Sequence, residues 1–590
     1  MTVLELADLA VTYPGDPPVQ AVRGVSLRVR AGEVTGLAGE SGCGKSTIAH
    51  AVLRLLPREA RIGGRLLLDG ESVLDMHWGR LRAVRWAGAS IVFQGVRRSL
   101  NPVHRVRNQL AEPIRLHERL GRRAAADRAA LLLDRVGLAT ELGDRRPHEL
   151  SGGEQQRVLI AMALACSPRL IIADEATSAV DAVTRGQLLR TLTDVVREER
   201  AALLLIGHDL PALAATCDRL AVMYAGRIVE DGPARAVSSG PRHPYATALL
   251  NAAGAAGDPR TRGRPRPLGG DPPDPAHPLP GCAFGPRCAA VQDDCRAGPV
   301  PLRPDGSRAY ACLHPFPVDR PAEAHRDEIP AAGPPVLSIR DLTVRVGGRH
   351  GVRAVHEVTL DLAAGEILAL VGESGAGKST LARSLVGLCR PESGVVTVGG
   401  EPLPRGGREL RRLRREVQYL PQDAGGALHP GHTVEQAVTE GLRIRGARDA
   451  RTPAVAAMAR MGLRPPERFL PRRPGELSGG QQARVALAAA VAVGPRVLIA
   501  DEPSAALDVT VRAEILALLM DLRRTAGMSV LLVTHDLAAA WQIADRVAVM
   551  RNGRLVETGT VQNVFAQPAH PYTRTLLEQA IANPRQRPLT

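Results

Sequence analysis

Lysine is nearly absent from this chain. Its 590 residues include 76 Lys plus Arg, yet only Lys45 and Lys378 are lysine. Aromatic residues are scarce at 2%, so any core must be aliphatic. Long apolar runs are missing as well. ALLLI (202–206) is strand-sized, far short of the ~20 residues of a membrane span. The N-terminal MTVLELADLAVTYPG has no basic start followed by an apolar stretch, so no signal peptide is expected. These absences point to a cytosolic protein whose eight cysteines are reduced or metal-bound, not paired as disulfides. The net charge of +15 fits either an anionic partner or a solvated arginine-rich surface. Part of it sits in local clusters such as RGGRELRRLRR (405–415).

What is present is a repeat. LSGG occurs at 150–153 and 477–480, ADE at 173–175 and 500–502, HDL at 208–210 and 535–537, and HPY at 243–245 and 570–572. From Ser151 to His243 each pair is offset by 327 residues, a period far too long for a solenoid. The chain therefore reads as two copies of one large domain. Between them lies GDPRTRGRPRPLGGDPPDPAHPLPG (257–281), a Pro/Gly-rich loop. A cysteine-bearing segment follows, and then a linker, RPAEAHRDEIPAAGPP (320–335). The expected boundaries are 1–255 for the first domain, 256–319 for the cysteine-bearing extension and 320–335 for the linker. The second domain spans 336–566, with a short HPY-type tail at 567–590.

Each copy has an α/β pattern. EVTGLAG (33–39) and EILALVG (366–372) read as buried strands leading into GESGCGKST (39–47) and GESGAGKST (372–380). RLIIADE, RVLIADE, LLLIGH and VLLVTH look like parallel strands with polar tips. RAAADRAALLLDRVGL (123–138) reads as helix.

The G-x4-G-K-S loop is a phosphate cradle, because glycines let backbone N–H groups converge at a helix N-terminus. Its expected contacts in the first copy are Gly39, Ser41, Gly42, Cys43, Gly44, Lys45, Ser46 and Thr47. Gly372, Ser374, Gly375, Ala376, Gly377, Lys378, Ser379 and Thr380 are their counterparts in the second. Both lysines stand where arginine does not serve: the loop closes on a compact ammonium, and a planar guanidinium is larger. Lys45 and Lys378 are expected to reach the β- and γ-phosphates, and Ser46 and Ser379 to hold Mg²⁺. Asp174 and Asp501 end apolar strands, suited to Mg²⁺ through water. Glu175 and Glu502 follow, able at a strand tip to turn toward an attacking water.

LSGGEQQ (150–156) and LSGGQQ (477–482) resemble the signature of ATP-binding cassette (ABC) ATPases. The whole ordered set recurs in each copy: phosphate loop, glutamine loop (Gln94, Gln422), signature, Asp-Glu strand, D-loop (SAVD 178–181, AALD 505–508) and switch histidine (His208, His535). The resemblance implies two tandem P-loop domains, each with a parallel-sheet core and a helical subdomain. It also implies an intramolecular head-to-tail sandwich of the two. Ser151, Gly152 and Gly153 would then cap the nucleotide on Lys378, and Ser478, Gly479 and Gly480 the one on Lys45. Asp181 and Asp508 would lie at the seam, and Gln94 and Gln422 would be further Mg²⁺ ligands. His208 and His535 would meet the γ-phosphate, and Glu175 and Glu502 would orient or deprotonate water. Tyr13 looks like the aromatic that stacks on adenine, whereas Val346 stands at the matching position. The second site is thus expected to bind ATP more weakly.

SLNP (99–102) with its echo ALHP (427–430), the two HPY segments and PLPGCAFGPRCAAVQDDC (278–295) before ACLHP (311–315) narrow the resemblance. They look like the ATPase subunits of the dipeptide/oligopeptide importer family, which includes nickel and glutathione importers, here as two subunits fused. That family implies two membrane permease subunits as partners and an extracytoplasmic binding protein. It implies a peripheral position on the cytoplasmic face of the membrane and no specific nucleic acid. A soluble tandem ABC protein acting on ribosomes or DNA is the alternative. It is disfavoured by the Pro-rich, cysteine-bearing join. Cys282, Cys288, Cys295 and Cys312 have the spacing C-x5-C-x6-C-x16-C, which is not that of a zinc ribbon. Four thiolates suit a [4Fe–4S] cluster or zinc, and unligated thiols remain open. The family resemblance favours the cluster.

Overall fold

The computed structural model describes residues 1–95, 99–176, 182–315, 334–347, 351–404, 406–504 and 507–581. The chain divides into two compact units. The first comprises Met1–Ala253 and Leu268–Arg320, the second Gly254–Pro267 and Pro321–Thr590. The cysteine-bearing segment is therefore part of the first unit's body. The short stretch before it belongs with the second unit, where Trp541 Nε1 donates to Asp258 O at 2.8 Å.

In the first unit the strands Ala89–Val92, Leu170–Asp174, Ala202–Gly207, Val34–Ala38 and Arg219–Tyr224 lie side by side in that order, all parallel. Arg227–Pro233 then pairs antiparallel at the edge. The parallel strands are apolar at nearly every position because both faces are covered. Leu170 and Ile172 point into one core, and Ile171 and Ala173 into the other. A four-stranded antiparallel sheet built on Thr2–Tyr13 covers one face with the helix Lys45–Val52. The helices Val106–His117, Arg122–Arg135 and Gly152–Ala163 contribute to the other core.

The second unit repeats this order with Val417–Leu420, Val497–Asp501, Ser529–Thr534, Ile367–Val371, Arg546–Arg551 and Arg554–Thr560. Among the described residues this sheet has six strands, whereas that of the first unit has eight. The two extra strands, Arg303–Asp305 and Arg308–Tyr310, come from the cysteine-bearing segment. They add to the edge through Glu230 opposite Tyr310 and Asp231 opposite Ala309. A segment with little core of its own is thereby anchored on a finished sheet.

Candidate nucleotide sites and the cysteine hollow

Each glycine loop leaves a buried strand and turns into a helix through a left-handed glycine. Gly44 has φ 104° and Gly377 φ 102°. A Cβ on Gly44 would lie 2.2 Å from Ala21 O, and one on Gly377 2.1 Å from Ala354 O, so no side chain is accommodated there. Cys43 and Ala376, between the glycines, are buried. Both lysines sit in the turn they close. Lys45 Nζ donates to Gly39 O at 2.8 Å and Glu40 O at 2.7 Å. Lys378 Nζ donates to Gly372 O and Glu373 O, each at 2.8 Å. The first residues of each helix, Lys45-Ser46-Thr47 and Lys378-Ser379-Thr380, point their N–H groups toward the loop, as an anion site requires.

The polar strand tips gather around these loops. Ser46 Oγ donates to Asp174 Oδ1 at 3.1 Å, and Ser379 Oγ to Asp501 Oδ1 at 3.0 Å. Burial pushes both aspartates above the ordinary carboxylate range, against the pull of those serine hydrogen bonds. Gln94 Nε2 donates to Glu175 Oε2 and Gln422 Nε2 to Glu502 Oε2, both at 2.7 Å. His208 Nδ1 lies 3.4 Å from Glu175 Oε1, and His535 Nδ1 3.0 Å from Glu502 Oε1. Burial raises the Glu502 carboxyl. The His535 hydrogen bond and charge, with Lys378 and Gln422, outweigh it and hold the group below its usual value.

Strand alternation would point Glu175 and Glu502 away from Asp174 and Asp501. Both glutamates escape it by leaving the β region, with φ 47° and 49°. Non-glycine residues rarely adopt this conformation, and it concentrates at functional sites.

Tyr13 ends its strand with its hydroxyl 3.3 Å from Thr47 Oγ1. Val346 ends the corresponding strand of the second unit and is 49% exposed. Ser151 and Ser478 cap the signature helices, each receiving the N–H three residues on. Gly152-Gly153 and Gly479-Gly480 open those helices. Asp508 caps the helix Val509–Ala526. Asp181 lies outside the described residues, as does the rest of SAVD.

The HPY motif acquires a physical role that sequence reading missed. Tyr245 OH accepts the Glu40 N–H at 2.8 Å, and Tyr572 OH the Glu373 N–H at 3.1 Å. His243 and His570 accept, through Nδ1, the N–H groups of those tyrosines. The recurrence of HPY was the available signal. The motif fastens each phosphate loop from behind.

Cys282, Cys288, Cys295 and Cys312 all line one small hollow, walled by Phe284 and Val291. Burial raises the thiols of Cys282 and Cys288 and takes Cys312 to about 11. Beside them, Asp294, Cys295 and His314 bring their ligand atoms within 4.8 Å of one another.

Residues 22–178 and 355–505 match the ABC transporter family model. The chain belongs to the ABC transporter ATP-binding family. It is an ABC-type ATPase carrying two ATP-binding cassettes. Residues 229–295 and 556–589 match the oligopeptide/dipeptide transporter C-terminal region, which includes both HPY segments of this ABC protein. The chain is 39% identical to the oligopeptide transport ATP-binding protein OppD of Mycobacterium tuberculosis, over 98% of each chain. It is 36% identical to the glutathione import ATP-binding protein GsiA of Escherichia coli, over 99% of this chain and 91% of that one. Among the described residues no helix is long and apolar enough to cross a membrane.

Proposed function

We propose that this chain is the ATP-hydrolysing subunit that energises import of di- or oligopeptides through separate permease subunits at the cytoplasmic face of a membrane. The observation that carries this reading is the likeness to oligopeptide and glutathione import ATP-binding proteins along nearly the whole chain. An extracytoplasmic binding protein would deliver the substrate. The glutathione relatives favour a second reading, import of glutathione-like solutes, which are themselves short peptides.

In this reading the cassettes span 1–255 and 336–566 and close head to tail on two ATP molecules. The loop N–H groups with Lys45 and Lys378 hold the phosphates. Ser46, Asp174 and Gln94 hold one Mg²⁺, and Ser379, Asp501 and Gln422 the other; the close Ser–Asp pairs fit a small hard cation. Glu175 and Glu502 orient the attacking water and accept its proton, and His208 and His535 steady the γ-phosphate. Ser151, Gly152, Gly153 and Asp181, with Ser478, Gly479, Gly480 and Asp508, complete the opposite sites. Closure drives the permeases and hydrolysis reopens the pair.

The four cysteines would hold a [4Fe–4S] cluster. Four convergent cysteines in an apolar hollow fit it, because a bound cation favours the thiolate form that ligates it. The cluster would staple the segment to the sheet. Visible absorption with matching iron and sulfide in anaerobically purified chain tests this, and a colourless zinc protein would overturn it.

The transport reading is tested by reconstituting the chain with permease subunits of an oligopeptide importer. Peptide uptake should depend on ATP and disappear with Glu175→Gln plus Glu502→Gln. Full turnover in that double variant, or salt-sensitive ribosome binding in place of permease binding, would overturn it.

A further inference from the structure

Glu40 and Glu373 occupy the same place in the two phosphate loops, yet their carboxylates live in different surroundings. Glu40 is buried, and Glu373 is exposed. The Glu40 carboxylate is held by both nitrogens of one guanidinium: Arg287 Nη1 donates to Oε2 at 2.8 Å and Nη2 to Oε1 at 3.0 Å. This pair is withdrawn from water, with side chains only 4% and 5% exposed. Arg287 also donates to Tyr224 OH at 3.3 Å and, through Nε, to Gly269 O at 2.8 Å.

Arg287 is the residue directly before Cys288, which lines the cysteine hollow. A second route runs in parallel. Phe284, a wall of the hollow, packs edge-on against Tyr224 at 5.4 Å and against Tyr245 at 5.5 Å. Tyr245 is the residue whose hydroxyl holds the Glu40 N–H. One loop residue is thus gripped at its amide, at its carboxylate and, through Lys45, at its carbonyl.

The second unit keeps the amide and carbonyl parts of this arrangement, the latter through Lys378, and among the described residues lacks the carboxylate part. Tyr572 holds the Glu373 amide, and Arg551, at the position of Tyr224, lies over the Tyr572 ring at 4.8 Å. Among the described residues the Glu373 carboxylate has no ion pair.

We propose that Arg287 is a positioning residue that ties the first phosphate loop, and not the second, to the cysteine hollow. Without Arg287 the Glu40 carboxylate is buried, uncompensated and next to the phosphate site. A buried charge that loses its partner drives local rearrangement, and an unbalanced anion there opposes a polyphosphate. A change of state in the hollow moves Arg287 and Phe284 together, and so bears on ATP binding in one cassette alone.

The test measures fluorescent-nucleotide binding to the full chain, with the first site read in a Lys378→Ala background and the second in Lys45→Ala. Arg287→Met should weaken the first site about tenfold and leave the second within about twofold. Cys288→Ala should act in the same direction at the same site. Adding Glu40→Gln to Arg287→Met removes the orphaned charge and should recover at least about half of the lost binding. A structural role of Arg287 alone would not produce that recovery. Equal losses at both sites, an unchanged first site in either variant, or no recovery would each overturn the proposal. The inference rests on where the hollow lies and not on what fills it. A metal-free chain would overturn the cluster reading and leave this one standing.

Discussion

Tyr419 donates its hydroxyl to Asp501 Oδ2 at 2.8 Å. In the first unit Ile91 holds that register position beside the strand of Asp174, so the two candidate Mg²⁺ aspartates differ in their partners. Arg383 donates in turn to Tyr419 at 3.4 Å. Both of the Asp501 oxygens are therefore fixed, one by Ser379 and the other by Tyr419. The tyrosine hydrogen bond also works against burial, which raises this carboxyl.

Replacing Tyr419 by Phe removes one orienting bond and raises the Asp501 carboxyl further. The second cassette should then need about threefold to tenfold more Mg²⁺ for ATP binding, and the need should grow as pH falls. The first cassette should be unaffected. Mg²⁺ titrations in the single-site Lys45→Ala and Lys378→Ala backgrounds measure both. An unchanged second site would show that Tyr419 only packs.

Exchange of the adenine-side residues should exchange the affinities. Tyr13→Val removes a ring worth about 1–3 kcal/mol of base stacking and should weaken the first site by at least about fivefold. Val346 is half exposed at the end of its strand, so Val346→Tyr has room for a ring. It should tighten the second site by a comparable factor. Nucleotide titration of each site decides, and a Val346→Tyr chain with no gain would mean that another residue already covers the base.

His243 is buried, and burial lowers its pKa to about 4 from an ordinary 6.5. The folded chain therefore keeps this ring neutral where the unfolded chain is already protonated. Stability contributed by the neutral ring is complete above pH 6.5 and is lost as pH falls toward 4, at up to about 1.4 kcal/mol per pH unit. Below that the loss levels off. His243→Asn keeps an acceptor for the Tyr245 N–H and should flatten this part of the stability–pH curve. Denaturant unfolding between pH 7 and 4 provides the measurement, and an equally steep decline in the variant would assign it elsewhere.

The candidate phosphate-site residues were legible in the sequence because phosphate chemistry tolerates few substitutes. Lys45, Ser46, Asp174, Glu175, Gln94 and His208 do converge, as do their counterparts. What escaped sequence reading is how those residues are held. Arg287 and Glu40 are separated by 247 residues, and no local pattern marks them as partners. Tyr419 sits in a short strand where Ile serves equally well for packing. HPY was visible as a repeat, but its link to the loop spans 205 residues and exists only once the sheet has formed. The cysteine spacing was visible too, whereas the two strands that graft the segment onto the first sheet are three residues each. Strands that short carry no readable alternation.

The backbone at the candidate catalytic glutamates supports a further prediction, and it runs against ordinary propensity. Glu502 has φ 49°, and its amide donates to Val533 O at 2.8 Å, so the conformation is fixed by the sheet and not by the side chain. For most L-residues this region costs about 1–2 kcal/mol, because Cβ meets the following carbonyl. Glycine does not carry that cost. Glu502→Gly and Glu502→Ala both remove the carboxylate and its bonds to Gln422 and His535, and both should abolish hydrolysis at this site. They should differ in stability: the glycine variant should be the more stable by about 1 kcal/mol, opposite to the order expected within a regular strand. Paired unfolding curves and ATPase rates of the two variants test this. If alanine proves the more stable, the left-handed turn is not retained once the carboxylate is gone. The side-chain bonds, not the sheet, would then be what holds Glu502 on the same side as Asp501.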